Sequence, residues 1–104
     1  MINVKILRNK DTDIYGFQMD SHGESIVCAA VSALALNTVN SIETFFNEPF
    51  ECDYRDEGGV LRFVIPAIKA GKHNHDINLL LKSFVLGMFG IEDAHPNEIK
   101  VDDV

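Results

Sequence analysis

The stretch "SHGESIVCAAVS", residues 21–32, sets a histidine, a short polar loop and a cysteine directly before a long apolar run. A thiolate rather than a thiol attacks a carbonyl carbon, and the first turn of a helix favours that anion through its unpaired amides and macrodipole. With Ser25 as N-cap, Cys28 falls about three residues into such a turn. The same amides can receive the oxyanion that forms when a peptide carbonyl is attacked. His22, six residues upstream in a loop containing Gly23, is the candidate base toward the thiol and acid toward the leaving amine. Ser32, one turn beyond Cys28 on the same helical face, is the candidate to orient the pair or hydrogen-bond with it. A plainer reading competes: Cys28 also heads an apolar stripe, unreactive cysteines are among the most buried residue types, and Ser25 and Ser32 serve as a cap and a packed small residue. A cysteine and a histidine six apart do not separate the two readings.

The elements that must position these residues follow from periodicity. Residues 2–8, "INVKILR", alternate Ile2, Val4 and Ile6 against Asn3 and Lys5, the pattern of a half-buried strand. "NKDTD" supplies a turn, and "IYGFQM" (14–19) returns as the second strand of an antiparallel hairpin, with Gly16 marking a bulge or a close backbone approach. From Ile26 to about Asn47 the period changes to that of a helix, with Cys28, Ser32, Ala35, Val39, Ile42 and Phe46 in one stripe, widened by Val27, Val31, Leu34 and Phe45. "FECDYR" (50–55) and "VLRFVI" (60–65) flank the turn "DEGG" as a second hairpin. "PAIKAGKHNH" is expected as a loop. A second helix follows over Asp76–Phe89, with Ile77, Leu80, Leu81, Phe84, Val85 and Met88 facing inward and Gly90 at the C-cap. Ile99 and Val101 in the polar tail hint at a short edge strand. The order β-β-α-β-β-α predicts an α+β fold, an antiparallel sheet with both helices packed on one face.

Length and composition bound the function. A chain of 104 residues that is 46% hydrophobic fits one domain over 1–104 with a real core. Nine basic against sixteen acidic residues, a net charge of -7, argue against direct binding of nucleic acid and suit a basic partner. No uninterrupted apolar run reaches the roughly 18 residues of a bilayer span, so no membrane association is expected. The strand-like N-terminus in place of a secretory signal, with two cysteines read as free thiols, suggests a cytoplasmic protein.

Other chemistry-bearing residues carry less. His73, His75 and Asp76 in "KHNHD" are close in sequence, but alternate residues of an extended loop point apart, and the stretch reads as a solvated loop and helix cap. Cys52 alternates inward with Phe50 and Tyr54 and is expected in the core. His95, before Pro96, is expected to be exposed. "GGVLR" lacks the Lys-Ser/Thr ending of a phosphate loop, and no cofactor is assigned.

"GFQMDSH" followed by "GESIVCAAVSAL" resembles the ribosomal-processing cysteine protease family (Prp, YsxB-like), whose members carry a Gly-His-Ala element, a loop, and then Gly-x-Asp-Ile-Val-Cys-Ala-Ala-Val-Ser. The likeness continues through the opening hairpin, "NTVNSIE", "GGVLRFVIP" and "LLLKSFVLGM". It implies a homodimeric cytoplasmic endopeptidase that removes an N-terminal extension from the twenty-seventh protein of the large ribosomal subunit through a Cys/His dyad, with Cys28 as the nucleophile. Two departures stand out. Ser25 occupies the place of the family's Asp, and His22 lies six residues from Cys28 where the family has about a dozen. Aligned from the left, His22 falls on the catalytic histidine; aligned from the right, it falls on a variable residue before the loop glycine. A deletion in the loop, or, as the preferred expectation, a segment missing between Asp20 and Ile26, accounts for the difference.

Three functions follow. The first is the endopeptidase, with the substrate lying across Cys28 and adding as a strand to a sheet edge. The second is a non-catalytic ribosome-assembly factor that binds the same ribosomal protein. The third, a thiol redox sensor, needs a resolving cysteine, for which an inward-facing Cys52 is a poor partner.

Overall fold

A computed structural model describes residues 1–20, 25–55 and 59–103. The chain runs β1 (Ile2–Arg8), β2 (Ile14–Asp20), α1 (Ser25–Phe45), β3 (Glu51–Arg55), β4 (Val60–Val64), α2 (Pro66–Lys69), α3 (His75–Ala94) and β5 (Ile99–Asp102). The strands form one sheet in the order β3-β4-β2-β1-β5. Both hairpins are antiparallel as the turn signals require, while β5 joins β1 in parallel, pairing Ile2 with Ile99 and Val4 with Val101. The tail's two apolar residues therefore complete an edge strand, and the α+β expectation holds with this parallel addition.

The sheet has one apolar face. In register, Val4 meets Met19, Ile6 meets Phe17, Phe17 meets Phe63 and Met19 meets Leu61, and all of these side chains are buried. Phe17 stacks on Phe84 of α3 with ring centroids 4.2 Å apart, and Val27, Val31, Ala35, Val39 and Ile42 of α1 join the same core. The opposite face carries Asn3, Lys5, Gln18, Asp20, Lys100 and Asp102, all exposed. Period two in the central strands thus places Val4, Ile6, Phe17, Met19, Leu61 and Phe63 on the face covered by the two long helices.

The turns follow their chemistry. Asn9 Oδ1 accepts from the amides of Asp11 and Asp13, which lets Thr12 adopt φ 68° at the head of the first hairpin. Gly16 is a close approach: a Cβ there would overlap the Phe63 carbonyl oxygen. Of the turn expected at "DEGG", 56–59, only Gly59 is among the described residues, at φ 59°.

The helices depart from expectation in four places. The helix begins at Ser25 itself and not after it, and Cys28 becomes the fourth helical residue. α1 is centred on Val27, Val31, Ala35, Val39 and Ile42, leaving Phe45 69% exposed instead of widening the stripe. Pro66 starts the short helix α2 inside the stretch expected as a loop, because its fixed φ and missing N–H suit a first helical turn. α3 starts one residue early, with Asn74 Oδ1 accepting from the Ile77 amide, and runs through Gly90 to Ala94. Glycine inside a helix costs about 1 kcal/mol, which packing of Ile91 against the core and the His95 amide bond to the Ile91 carbonyl offset.

α1 also has the length and mean hydropathy, 1.5 over Ile26–Phe45, of a bilayer span, although Thr38, Asn37, Asn40 and Glu43 interrupt it. Its most apolar stripe packs on the sheet and on α3, so its hydrophobicity serves the core.

Candidate active site

The end of the sheet where β2 finishes at Asp20 is the end from which α1 departs. α1 then lies over the buried face of the sheet, with Val27 of its first turn in the shared core. Cys28 is half-buried there, on the flank of the core stripe and not at its centre. The stripe is phased on Val27 and Val31, which sets Cys28 at the edge of the packed face, still in contact with the core. The first four helical amides, those of residues 25–28, have no intrahelical acceptor, and the first turn carries no acidic residue.

One turn onward, about 6 Å along the helix axis, the half-buried Ser32 lines a cavity of about 350 Å³ together with Met19, Leu36, Tyr54, Gly59 and Leu61. This is the size of a small ligand pocket. Among the described residues its walls come from β2, α1, β3, β4 and Gly59 just before β4, with Ser32 and Tyr54 carrying hydroxyls among mainly apolar side chains. The cavity exists because β3 reaches past the cover of the helices. Cys52 and Tyr54 pair with Phe63 and Leu61 and share their sheet face, yet Phe63 and Leu61 are buried while Cys52 and Tyr54 are exposed.

The expectation that Cys52 belongs to the core is therefore corrected. The alternation was read in the right phase, but an edge strand beyond the helix layer has nothing above it to bury against. Partial burial pushes the Cys52 thiol up from its ordinary range, and the charges of Asp53 and Glu43 add to the rise, which disfavours the thiolate at neutral pH.

His22 lies outside the described residues. His73 and His75 sit at the far end of the sheet: His73 Nδ1 is 2.9 Å from Asp13 Oδ2 beside the first hairpin turn, and His75 is next to Asp76 in the first turn of α3. His95 is exposed, as expected, where α3 hands over to β5, the edge strand opposite β3. The sequence reasoning missed Leu36 and Tyr54 as cavity walls. Leu36 carried a signal, since it is a large apolar residue out of phase with Ala35, Val39 and Ile42 and is 49% exposed.

A partly exposed thiol on a first helical turn, one turn from a cavity, is a position from which a cysteine nucleophile can act. The sequence profile of the family described as Cysteine protease Prp matches residues 1–100, and the chain belongs to that family and is a cysteine protease. It is 29% identical over 108 aligned residues to the Ribosomal processing cysteine protease Prp of Staphylococcus aureus (strain Mu50), an alignment covering 98% of each chain. Two crystal structures of the S. aureus protease superpose on it with a TM-score of 0.87, covering 100% of both chains. One is in complex with a covalently linked product peptide at 27% identity, the other with a substrate peptide at 26%.

Proposed function

We propose that this chain is an endopeptidase that removes the N-terminal extension of a large-subunit ribosomal protein, the twenty-seventh, with Cys28 as nucleophile and His22 as general base. The Cys28 thiol gives its proton to His22 and its sulfur attacks the scissile carbonyl carbon, forming a C–S bond while the oxygen becomes an oxyanion facing the first-turn amides of α1. Collapse breaks the C–N bond, and the imidazolium returns the proton to the departing amine. Water, deprotonated by the same imidazole, then attacks the thioester and releases the acid and the thiol. Ser32, facing the cavity one turn away, hydrogen-bonds with and orients the reacting groups. No cofactor enters this chemistry.

The observation that carries the reading is the half-exposed position of Cys28 on the first turn of α1 beside the cavity. The covalently linked product peptide of the S. aureus relative supports a thioester route. The net charge of -7 suits a basic ribosomal protein as partner and disfavours direct contact with nucleic acid. Leu79 and Leu86, seven residues apart on α3 and 57% and 75% exposed, give the chain an apolar surface for a homodimer. Cytoplasmic action, where ribosomal proteins are made, accords with Cys28 and Cys52 not being joined in a disulfide.

The test is incubation of the purified protein with a peptide spanning the extension and the mature start of that ribosomal protein, followed by mass spectrometry. Cleavage at one bond, lost in Cys28→Ala and in His22→Ala, is the expected result; cleavage that survives Cys28→Ala removes the mechanism. One feature favours a second reading, a non-catalytic assembly factor: the six-residue spacing of His22 and Cys28 is half that of the family. Tight binding of the same peptide without turnover is its signature.

A further inference from the structure

We infer that the outer edge of β5 is a latent pairing strand for a second copy of this chain, and that the carboxylate of Glu92 holds it shut. β5 ends the sheet and, among the described residues, has a strand neighbour on one side only, β1. The Ile2 amide donates to the Glu98 carbonyl at 2.8 Å, and Ile2 pairs with Ile99 in parallel. That register turns the backbone of Glu98, Lys100 and Asp102 toward β1, and the amides and carbonyls of Ile99 and Val101 outward. Ile99 and Val101 bury their side chains in the core, which fixes their backbone at the rim of the sheet. Glu92 occupies the outward amide: its Oε2 accepts from the Val101 N–H at 2.6 Å. None of these residues lines the cavity beside Cys28, so the inference stands apart from the peptidase reading.

The last turn of α3 delivers the carboxylate. Ile91 packs against the core and Glu92 is half-buried beside it. The chain then turns back, with the Glu98 N–H donating to the His95 carbonyl, and enters β5. An arriving strand must take the Val101 amide from Glu92 and cover a charged carboxylate, and desolvating that charge costs more than one backbone bond returns. Without Glu92 the edge is complementary to itself. Two copies of β5 laid antiparallel about Val101 set Lys100 opposite the partner's Asp102, and the two-fold axis repeats the pair in reverse. Both side chains are exposed on the outer face and available for it. The two Val101 residues meanwhile exchange amide and carbonyl bonds. One side chain of α3 therefore decides whether this edge is open.

Glu92→Ala and Glu92→Gln, made in the full chain, are compared with the unsubstituted protein by sedimentation velocity over a wide range of concentration. Glu92→Ala is expected to form species larger than the unsubstituted protein's own assembly, at concentrations at least about tenfold lower. Adding Lys100→Asp, which sets like charges opposite each other, should remove them. Glu92→Gln keeps the shape and can accept the same bond without a charge, so it should associate to an intermediate degree. Amide hydrogen exchange, read by NMR in dilute samples, should be at least about tenfold faster at Val101 in Glu92→Ala and unchanged at Lys100, whose amide faces β1. Glu92→Ala that keeps the size of the unsubstituted protein overturns the inference, as does association that survives Lys100→Asp. Faster exchange at Lys100 and Val101 alike, without association, reduces Glu92 to a tether between α3 and β5 and overturns it too. If Glu92→Ala does not fold, Glu92→Gln is judged by the same criteria in its place.

Discussion

The carboxamide of Asn78 closes a two-bond ring on the backbone of Ile14: Asn78 Oδ1 accepts from the Ile14 amide at 2.9 Å, and Asn78 Nδ2 donates to the Ile14 carbonyl at 3.2 Å. Asn78 is 4% exposed on α3, and Ile14 opens β2 where the pairing with β1 shifts register between Leu7 and Arg8. The side chain thus replaces the strand partner that the bulge withholds. Asn78→Leu keeps the volume and leaves both backbone groups buried without partners. A loss of about 2–4 kcal/mol is expected, seen as a fall in Tm of the order of 10 °C. A change within one or two degrees contradicts this role.

Two glycines allow close approach, and they predict opposite outcomes. A Cβ on Gly16 meets the Phe63 carbonyl, which is backbone of a central strand and cannot move aside. On Gly87 of α3 it meets Leu34 Cδ2 of α1 at 2.5 Å, the far end of a side chain that can rotate. Alanine also gains about 1 kcal/mol over glycine in a helix interior. Gly16→Ala is expected to cost about 2–3 kcal/mol, and Gly87→Ala to stay within about 1 kcal/mol of the unsubstituted protein. Urea unfolding of the pair decides whether the α1–α3 contact is adaptable in this way.

The C-terminal segment is held by Arg8, whose Nε and Nη2 donate to Asp103 at 2.7 and 2.9 Å while Nη1 donates to the Thr12 carbonyl. The hydrogen bonds from Arg8 pull the Asp103 carboxyl below its ordinary range; burial opposes them, and the guanidinium charge adds to the pull. A carboxyl lowered by folding stabilises the folded state fully above its unfolded pKa, and that contribution disappears as pH falls through the folded value. Asp103→Asn is therefore expected to cost about 1 kcal/mol at pH 7. The gap to the unsubstituted protein should narrow below about pH 4. Thermal melts of both proteins between neutral and strongly acidic pH measure this; a gap that is flat across the range excludes Asp103 as its source.

How much of this was legible in the sequence depends on which forces act within one element. Val4, Ile6 and Phe17 announced strands, and Ile77, Leu81, Phe84 and Met88 announced the inner face of α3, because burial follows the period of the element itself. Cys52 was misread because its alternation is local while its exposure depends on where α1 stops covering the sheet. Gly90 was misread as a stop because packing of Ile91, which no local rule contains, outweighs the propensity cost. At the site, the placing of Cys28 and Ser32 one turn apart at the start of a helix was readable, whereas the stripe they were assigned to is centred instead on Val27 and Val31. The cavity was not readable, since it joins Met19, Leu36, Tyr54 and Leu61 from four elements.

Ser32 offers the sharpest test of how the cavity serves the chemistry, because small and large replacements there separate two roles. If its hydroxyl steadies the groups at Cys28, Ser32→Ala removes one hydrogen bond that strengthens in the transition state. The expected result is a fall in kcat of about tenfold to a hundredfold with KM nearly unchanged. Ser32→Leu fills the cavity that takes a substrate side chain, so KM should rise as well, by at least about tenfold. α1 should tolerate both, since alanine and leucine are strong helix formers and Ser32 is only half-buried. Steady-state hydrolysis of a single peptide by the three proteins gives the answer. If Ser32→Ala changes KM alone, Ser32 is a wall of the pocket; a kcat effect restored by Ser32→Thr assigns the hydroxyl to the reaction.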